Sequence, residues 1–252
     1  MLSSAQQQQF KIDGYLKLPR LIGADEISAL RQAVEDDLAQ RVEPFELETD
    51  VQYPGAPDTI DAPGGATIRR LKSAYARGPQ FSRIATLPHV VNAVQQILET
   101  NQVWLNPNHH NCIMTKHPEF SSATLWHRDT RYWHFSDKYL INSWIALGEE
   151  SEANGAMMIL PGSHRWEVTE DALDADQFLI TDHPDAVDRV ATARVVTLNA
   201  GDVLLFSAHC FHAAGQNHTD VTKLSMVFTY HGETTQPIEG TVSNSNDEIR
   251  LK

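Results

Sequence analysis

The 252-residue chain is short of basic residues and has no long apolar run. Its 20 lysines and arginines stand against 33 acidic residues, a formal net charge of −13. Nucleic-acid-binding surfaces need a basic face, so this balance argues against them and against adsorption to anionic membranes. No run approaches the roughly 18 apolar residues of a membrane-spanning helix, and the opening MLSSAQQQQFKIDGY has no apolar signal-peptide core. We therefore expect a cytoplasmic protein whose partners are small molecules.

Cysteine is also scarce. Cys112 and Cys210 are the only two, and they lie far apart in apolar, strand-like runs. A small disulfide-stabilised fold would need more, so buried, reduced thiols are the simpler expectation. With 41% apolar residues, a chain of this length can bury a substantial core, and barrels of this size commonly form one domain. We expect a single domain over residues 1–252.

The first part of the chain, to about residue 100, has mainly helical patterns. Apolar residues recur at helical spacing from Ile27 to Leu38, and the pattern returns after Pro88. Residues 41–67 between these stretches carry proline, glycine and acids without periodicity. Such a segment predicts a long loop, either a mobile lid or a poorly ordered insertion.

The second part, about 101–232, consists of short β-type runs separated by turn signals. The runs are NCIMTK, KYLINSWIAL, AMMILP, ARVVTL, DVLLFSA and KLSMVFTY. Many short strands of this kind indicate a sandwich or jelly roll rather than a βαβ sheet. An acidic, helix-compatible stretch at about 165–190 interrupts them, and we expect it to fold over one end of the barrel. The predicted class is mainly β with flanking helices.

The most informative segment is WHRDTRYWHF, in which His127 and Asp129 are two residues apart, while His212 follows in LLFSAHCFHAAGQN. Two imidazoles and one carboxylate can form the facial triad that holds Fe(II) on one side and leaves the other side open. On an extended backbone, residues i and i+2 point to the same face, so this spacing suits a strand. Threonine and aromatic residues around the pair favour a strand.

His-x-Asp occurs twice more, so the pair alone is not selective. His183 and Asp185 enclose a proline in an acidic stretch, which predicts a loop. His218 and Asp220 lie in turn-like QNHTDVTK. Context therefore favours the pair at 127 and 129. Several other histidines crowd the same region, and spacing cannot say which reaches a pocket: His109, His110, His117, His134, His209 and His231.

The chain resembles the phytanoyl-CoA dioxygenase family of Fe(II)- and 2-oxoglutarate-dependent oxygenases over nearly its whole length. The segments that carry the resemblance are FKIDGYLKLPRLI, WHRDTRYW, INSWIALGEESEANGAMMILPGSH and NAGDVLLFSAHCFHAAGQNHTDVTKLS. The resemblance implies a double-stranded β-helix, or cupin-like jelly-roll, core wrapped by N-terminal helices. It also implies Fe(II) bound by His127, Asp129 and His212, with 2-oxoglutarate and O2 as cosubstrates.

In one respect the chain departs from that family. Family members place an arginine about eleven residues after the distal histidine, where it grips the far carboxylate of 2-oxoglutarate, and this chain has Lys223, with Ser225 on the same strand face. Lysine keeps the charge but loses the bidentate geometry. Lys116 and Trp144 match family positions that approach 2-oxoglutarate. As residues taken alone they could equally be structural.

The substrate side is less defined. Tyr132, Trp133 and Phe135 could line a pocket or belong to the core. A basic cluster could receive an anionic substrate or form a solvated helix face; its members are Arg69, Arg70, Lys72, Arg77 and Arg83. Of these, Arg69 is our candidate for the pocket.

We expect the protein to oxidise a small molecule with release of succinate and CO2. Halogenases resembling the family carry a small residue in place of the carboxylate ligand, so Asp129 points to hydroxylation or another chloride-free oxidation. The alternatives are a cupin-like metal-dependent binding protein and a non-oxygenase isomerase on a similar barrel.

Overall fold

The computed structural model describes residues 1–251 of the chain. Its α-helices are α1 (Ser4–Asp13), α2 (Ala24–Ala39), α3 (Pro79–Ala85), α4 (Pro88–Leu98) and α5 (Val187–Val190). Its strands are β1 (Tyr15–Leu18), β2 (Phe45–Leu47), β3 (Ile68–Lys72), β4 (Val103–Lys116), β5 (Thr124–His127), β6 (Leu140–Ala146), β7 (Met157–Ile159), β8 (Arg194–Val195), β9 (Val203–Ser207), β10 (His212–Ala214), β11 (Lys223–Gly232) and β12 (Ile249–Arg250). No helix within residues 1–251 is both long and apolar enough to cross a membrane.

The strands form two antiparallel sheets. The larger has the order β1-β9-β6-β11-β4-β3-β2, with β12 added beside β4, and the smaller has the order β5-β10-β7-β8. Side chains from both sheets share one apolar cluster, which includes Ile159 of the smaller sheet and Leu204 and Phe206 of the larger. The predicted mainly β jelly-roll core with N-terminal helices is confirmed.

Alternation along the central strand β11 divides its side chains between two surroundings. Leu224, Met226 and Phe228 pack with the helices in the main core. Lys223 and Ser225, on the opposite face, point into the barrel and bond to each other there. Because every residue of β11 is buried, one strand serves both the core and the interior of the barrel.

The helices cover the outer face of the larger sheet. α1 begins at a Ser3 capping box and ends at Gly14, whose φ of 78° closes the helix in the left-handed region. α4 begins at Pro88 and buries Val90 and Val94 in the main core. The Tyr230 hydroxyl of β11 donates to the carbonyl oxygen of Ala85 in α3 at 2.8 Å, which ties the helical layer to the sheet.

The first hundred residues are less helical than expected. They also contribute β1, which pairs with β9, and β2 and β3, which extend the larger sheet beside β4. The four residues YLKL of β1 are too few to show a period against helical surroundings.

The acidic stretch at 165–190 forms mostly turns, with α5 as its only α-helix. The segment packs beside β5, since the Leu179 amide donates to the Trp126 carbonyl at 2.8 Å and the Phe178 ring lies 6.0 Å from that of His127. It therefore folds over the end of the barrel that carries the His-x-Asp pair, as predicted.

Candidate metal centre and cosubstrate site

The structure brings His127, Asp129 and His212 together at the inner wall of a cavity of about 540 Å³. His127 ends β5 and His212 begins β10, and the two are direct partners across the antiparallel pair. Their Nε2 atoms lie 3.6 and 3.5 Å from Oδ1 of Asp129. One ligand atom from each residue can be chosen so that all lie within 4.8 Å of one another. This donor set and spacing fit a facial triad.

Both imidazole rings are oriented by their own backbone. Nδ1 of His127 bonds to the Leu125 carbonyl at 2.8 Å, and Nδ1 of His212 bonds to the Cys210 carbonyl at 3.1 Å. Because a carbonyl only accepts, each Nδ1 carries the proton in these bonds. Each Nε2 is left with a lone pair for a metal.

Asp129 does not lie on a strand. β5 ends at His127, Arg128 is still extended, and Asp129 begins a 3₁₀ turn that runs to Tyr132. The strand that the surrounding threonine and aromatic residues favour is therefore present before the pair but not after it. The extended geometry needed to place the two ligands on one side covers only the residues from His127 to Arg128.

Two side chains hold the Asp129 carboxylate. The Asn142 amide donates to Oδ2 of Asp129 at 2.6 Å. The Thr229 hydroxyl fixes Asn142 in turn by donating to the Asn142 Oδ1 at 2.6 Å. Nε2 of His110 lies 2.9 Å from Oδ1 of Asp129, the carboxylate oxygen that faces both ligand histidines. Spacing could not single out His110 among the crowded histidines, because its approach to Asp129 depends on the bulged middle of β4.

The charges match what a metal requires. Burial alone would raise the pKa of Asp129, but His110 and His212 hold it well below its usual value. Burial, and then His212, lowers the pKa of His127 to about 4. An ionised carboxylate and a neutral imidazole are the forms in which these groups bind metals.

The competing His-x-Asp pairs do not form such a cluster. His183 lies beside Asp171, whose side chain is 78% exposed, and His218 is itself exposed. Of the three His-x-Asp pairs, the one at 127 and 129 is the pair that the structure places in a cluster with a third candidate ligand.

Lys223 is buried in the same cavity wall, but it already has a carboxylate partner. Its Nζ lies 3.3 Å from Glu150 and 3.3 Å from the Ser225 hydroxyl. Ser225 donates to Glu150 at 2.6 Å, and Nε1 of Trp144 donates to Glu150 at 2.9 Å. Three of the residues predicted to approach the cosubstrate thus surround Glu150, which is only 1% exposed. No sequence pattern distinguished Glu150 from its acidic neighbours.

Lys116 lies opposite Lys223 on the paired strand β4. Its Nζ donates to the Ser122 carbonyl at 2.7 Å, and no carboxylate among residues 1–251 forms an ion pair with it. Burial, then Lys223 and Arg69, lowers its pKa to about 7. The hydroxyl of Ser122 lines this part of the cavity, is buried and has no hydrogen-bond partner within the described chain. A lysine and an unpaired hydroxyl are therefore available to a ligand.

Of the four residues considered for the substrate side, three line the cavity and one does not. Arg69, Tyr132 and Trp133 line the cavity, and Trp133 stacks on His109 at 4.5 Å. Phe135 belongs to a small apolar cluster instead and is 8% exposed.

Two sheets closed around a buried cluster of two histidines and an aspartate define the jelly-roll, cupin-like class of metal-dependent proteins. Within that class, the chain belongs to the phytanoyl-CoA dioxygenase (PhyH) family, which matches residues 10–225. The family resemblance of the sequence is confirmed.

Several relatives are known individually. Ectoine dioxygenase of Bordetella parapertussis is 24% identical over 250 residues, covering 91% of this chain and 75% of that protein. The crystal structure of the non-haem α-ketoglutarate-dependent carbocyclase SnoK from nogalamycin biosynthesis matches with a TM-score of 0.76 at 19% identity, covering 100% of this chain and 97% of that one. EctD from S. alaskensis, solved with 2-oxoglutarate and 5-hydroxyectoine, matches with a TM-score of 0.76 at 20% identity, covering 92% and 77%.

Proposed function

We propose that the protein is a 2-oxoglutarate-dependent non-haem iron dioxygenase that hydroxylates a small molecule and releases succinate and CO2. The observation that carries the proposal is the cluster of His127, Asp129 and His212 inside a cavity that is also lined by the buried Lys223 and the half-buried Lys116. Family membership and the 2-oxoglutarate bound in the EctD structure support the same cosubstrate here.

The chain's own residues bind and orient, while Fe(II) with 2-oxoglutarate and O2 supplies the oxidising power. His127, Asp129 and His212 hold the metal. The Asn142 amide occupies Oδ2 of Asp129 and so turns Oδ1 toward the two imidazoles. A ligand fixed in this way reaches the metal without rearrangement.

Lys223 and Lys116 bind the far carboxylate of 2-oxoglutarate in this proposal. Lys223 and Trp144 line the cavity, whereas Glu150 is buried behind them. Glu150 therefore leaves the cavity side of Lys223 open and holds its ammonium group in place. Because the ammonium group is held in place, it partly compensates for the bidentate hydrogen bonding that arginine would provide and lysine cannot. Ser225 acts through this pair, since its hydroxyl contacts both charged groups.

Hydroxylation is the reaction we favour among the oxidations open to the family. Position 129 carries a carboxylate ligand, which occupies the place that a halogenase leaves for chloride. The carbocyclase SnoK has the same fold, so the fold alone does not select the outcome of the reaction.

The test is succinate formation from a metabolite panel incubated with Fe(II), 2-oxoglutarate and O2. We expect one class of compound to stimulate succinate formation in the wild type and in His218→Ala, but not in His212→Ala. Turnover that persists without O2 would identify an isomerase. Metal binding without any 2-oxoglutarate consumption would identify a binding protein.

A further inference from the structure

One part of the cavity wall carries more cations than the carboxylate paired with them can neutralise. Arg69, Arg70 and Lys72 share the single carboxylate of Glu46, at 3.1, 2.5 and 3.8 Å. All four residues line the cavity. The whole chain has a net charge of −13, so a local excess of positive charge is a property of this wall and not of the surface in general.

The remainder of the basic cluster behaves differently. Arg77 forms an ion pair with Asp37 at 2.8 Å, and Arg83 pairs with Glu26. These two arginines each have their own carboxylate and lie outside the cavity wall. The five basic residues grouped by sequence thus separate into a cavity set and a structural set.

Arg131 adds another cation at the metal end of the cavity. It donates to the Asp176 carbonyl at 3.1 Å and to the Tyr53 hydroxyl at 3.0 Å, both neutral acceptors. Its guanidinium also lies 4.1 Å from the centre of the Phe178 ring. No carboxylate in residues 1–251 forms an ion pair with it, so its charge is uncompensated.

Arg69 and Arg131 flank one aromatic pair beside the metal ligands. Arg69 lies over the Tyr53 ring at 5.0 Å, and Tyr53 meets Phe178 edge to face at 5.7 Å. Phe178 in turn lies 6.0 Å from the His127 ring. Both arginines line the cavity, so an anionic group bound to them there would lie close to the reacting centre.

We propose that the substrate is a small organic acid whose carboxylate binds Arg131 and Arg69. This inference rests on the proposed function and specifies its substrate class. Guanidinium groups bind carboxylates through paired, charge-assisted hydrogen bonds, which hold a planar acid in one orientation. With the acid group anchored there, the rest of the molecule extends toward the ligand side of His127.

The test compares carboxylic acids with their own primary carboxamides, which match them in shape but are neutral. The protein is loaded with Mn(II) and 2-oxoglutarate without turnover, and its melting temperature is measured against a panel of such pairs. We expect certain acids to raise the melting temperature while their carboxamides do not. Arg131→Gln should raise the half-saturating concentration of those acids by about tenfold. Arg83→Gln, which removes an arginine outside the cavity, is the control and should match the wild type.

Three results would overturn the inference: stabilisation by carboxamides equal to that by acids, acid binding unchanged in both Arg131→Gln and Arg69→Gln, or a panel in which no acid stabilises the protein. Binding of 2-oxoglutarate to the wild type is measured in parallel. If it is absent, the proposed function itself fails. If it is present without a preference for acids, only the anionic substrate is excluded.

Discussion

At the scale of single residues, Glu150 determines how Lys223 behaves. A buried lysine without a partner would be costly, and the Glu150 carboxylate removes that cost whether or not a cosubstrate is bound. Trp144 and Ser225 donate to the same carboxylate, which fixes it further. Lys223 therefore has a structural role and a proposed binding role, which one substitution cannot separate.

A double variant separates them. Lys223→Ala should destabilise the fold by about 3–5 kcal/mol, because it leaves the buried Glu150 carboxylate without its cation. Adding Glu150→Gln should restore most of that stability, since the amide is neutral. Binding of 2-oxoglutarate should be weaker by roughly a hundredfold in both variants. Urea unfolding and anaerobic titration of the Fe(II) protein, followed by its charge-transfer absorbance, measure the two effects. A double variant that binds 2-oxoglutarate like the wild type would exclude Lys223 from the site.

Removal of any metal ligand should abolish bound iron, because a methyl group cannot replace a donor atom. We expect His127→Ala, Asp129→Ala and His212→Ala to lose iron in elemental analysis and to lose activity. His183→Ala and His218→Ala are matched controls, since neither side chain reaches the cluster. Iron retained by His212→Ala but lost from His218→Ala would refute the assignment.

Lys116 should make 2-oxoglutarate binding depend on pH. Its pKa of about 7 in the ligand-free protein means that it is mostly charged below pH 7 and mostly neutral above it. A carboxylate placed beside Lys116 favours the charged form, so binding takes up a proton and affinity falls as the pH rises above 7. We expect tighter binding at pH 6 than at pH 8.5. The Lys116→Met variant should bind 2-oxoglutarate more weakly, and its affinity should no longer fall as the pH rises. If the affinity of the variant still falls with pH as in the wild type, another group is responsible for the titration.

The candidate metal cluster could be found from the sequence because a short motif in β-prone context contains two of its three members. Glu150 could not be found in that way. It follows another glutamate in a turn-like run, and its role arises only because β6 and β11 pair and bring Trp144, Ser225 and Lys223 around it. Contacts across a sheet leave no local spacing to detect.

At the scale of elements, prediction succeeded where the apolar run was long. The strands β6, β9 and β11 each bury nearly every residue and stand out in the sequence. β1 and β2 are short and owe their strand form to pairing with β9 and β3. Such pairing is tertiary, so local propensity cannot report it.

The segment 41–67 forms β2 and a series of turns, and its Tyr53 contacts both Arg131 and Phe178 over the cavity. We predict that it is a lid whose closure shields the reacting centre. Limited proteolysis should cut within it, and substrate with 2-oxoglutarate should slow the cut. Tyr53→Phe removes the hydroxyl that accepts from Arg131 and should speed cleavage of the ligand-free protein. A rate of cleavage that is the same with and without the two ligands would argue against a lid.

At the scale of the whole molecule, the helices and the larger sheet share one core. Phe228 of β11 is fully buried in this core, which also contains side chains of α2 and α4. A core continuous across both parts of the chain supports the proposal of one domain, in which the helical part and the barrel unfold together.

Phe228→Ala tests this continuity. The cavity it creates should cost about 3–5 kcal/mol in the free energy of unfolding. Far-ultraviolet circular dichroism and tryptophan fluorescence should still follow a single shared transition in urea. Val187→Ala, at a side chain 49% exposed in α5, should change stability by less than about 0.5 kcal/mol. Two separated transitions would indicate two independent units.

The alternation along β11 also limits how this protein can diverge. Inserting or deleting one residue in that strand would turn Lys223 and Ser225 toward the helices and bring Leu224 and Met226 into the barrel. The packing of the main core and the polar contacts inside the barrel would then be lost together. Changes of length are tolerated in loops such as 41–67 and 165–190, which lie over the cavity. New substrate preferences should therefore arise by lengthening or shortening these two segments, while the strand behind them changes only by substitution.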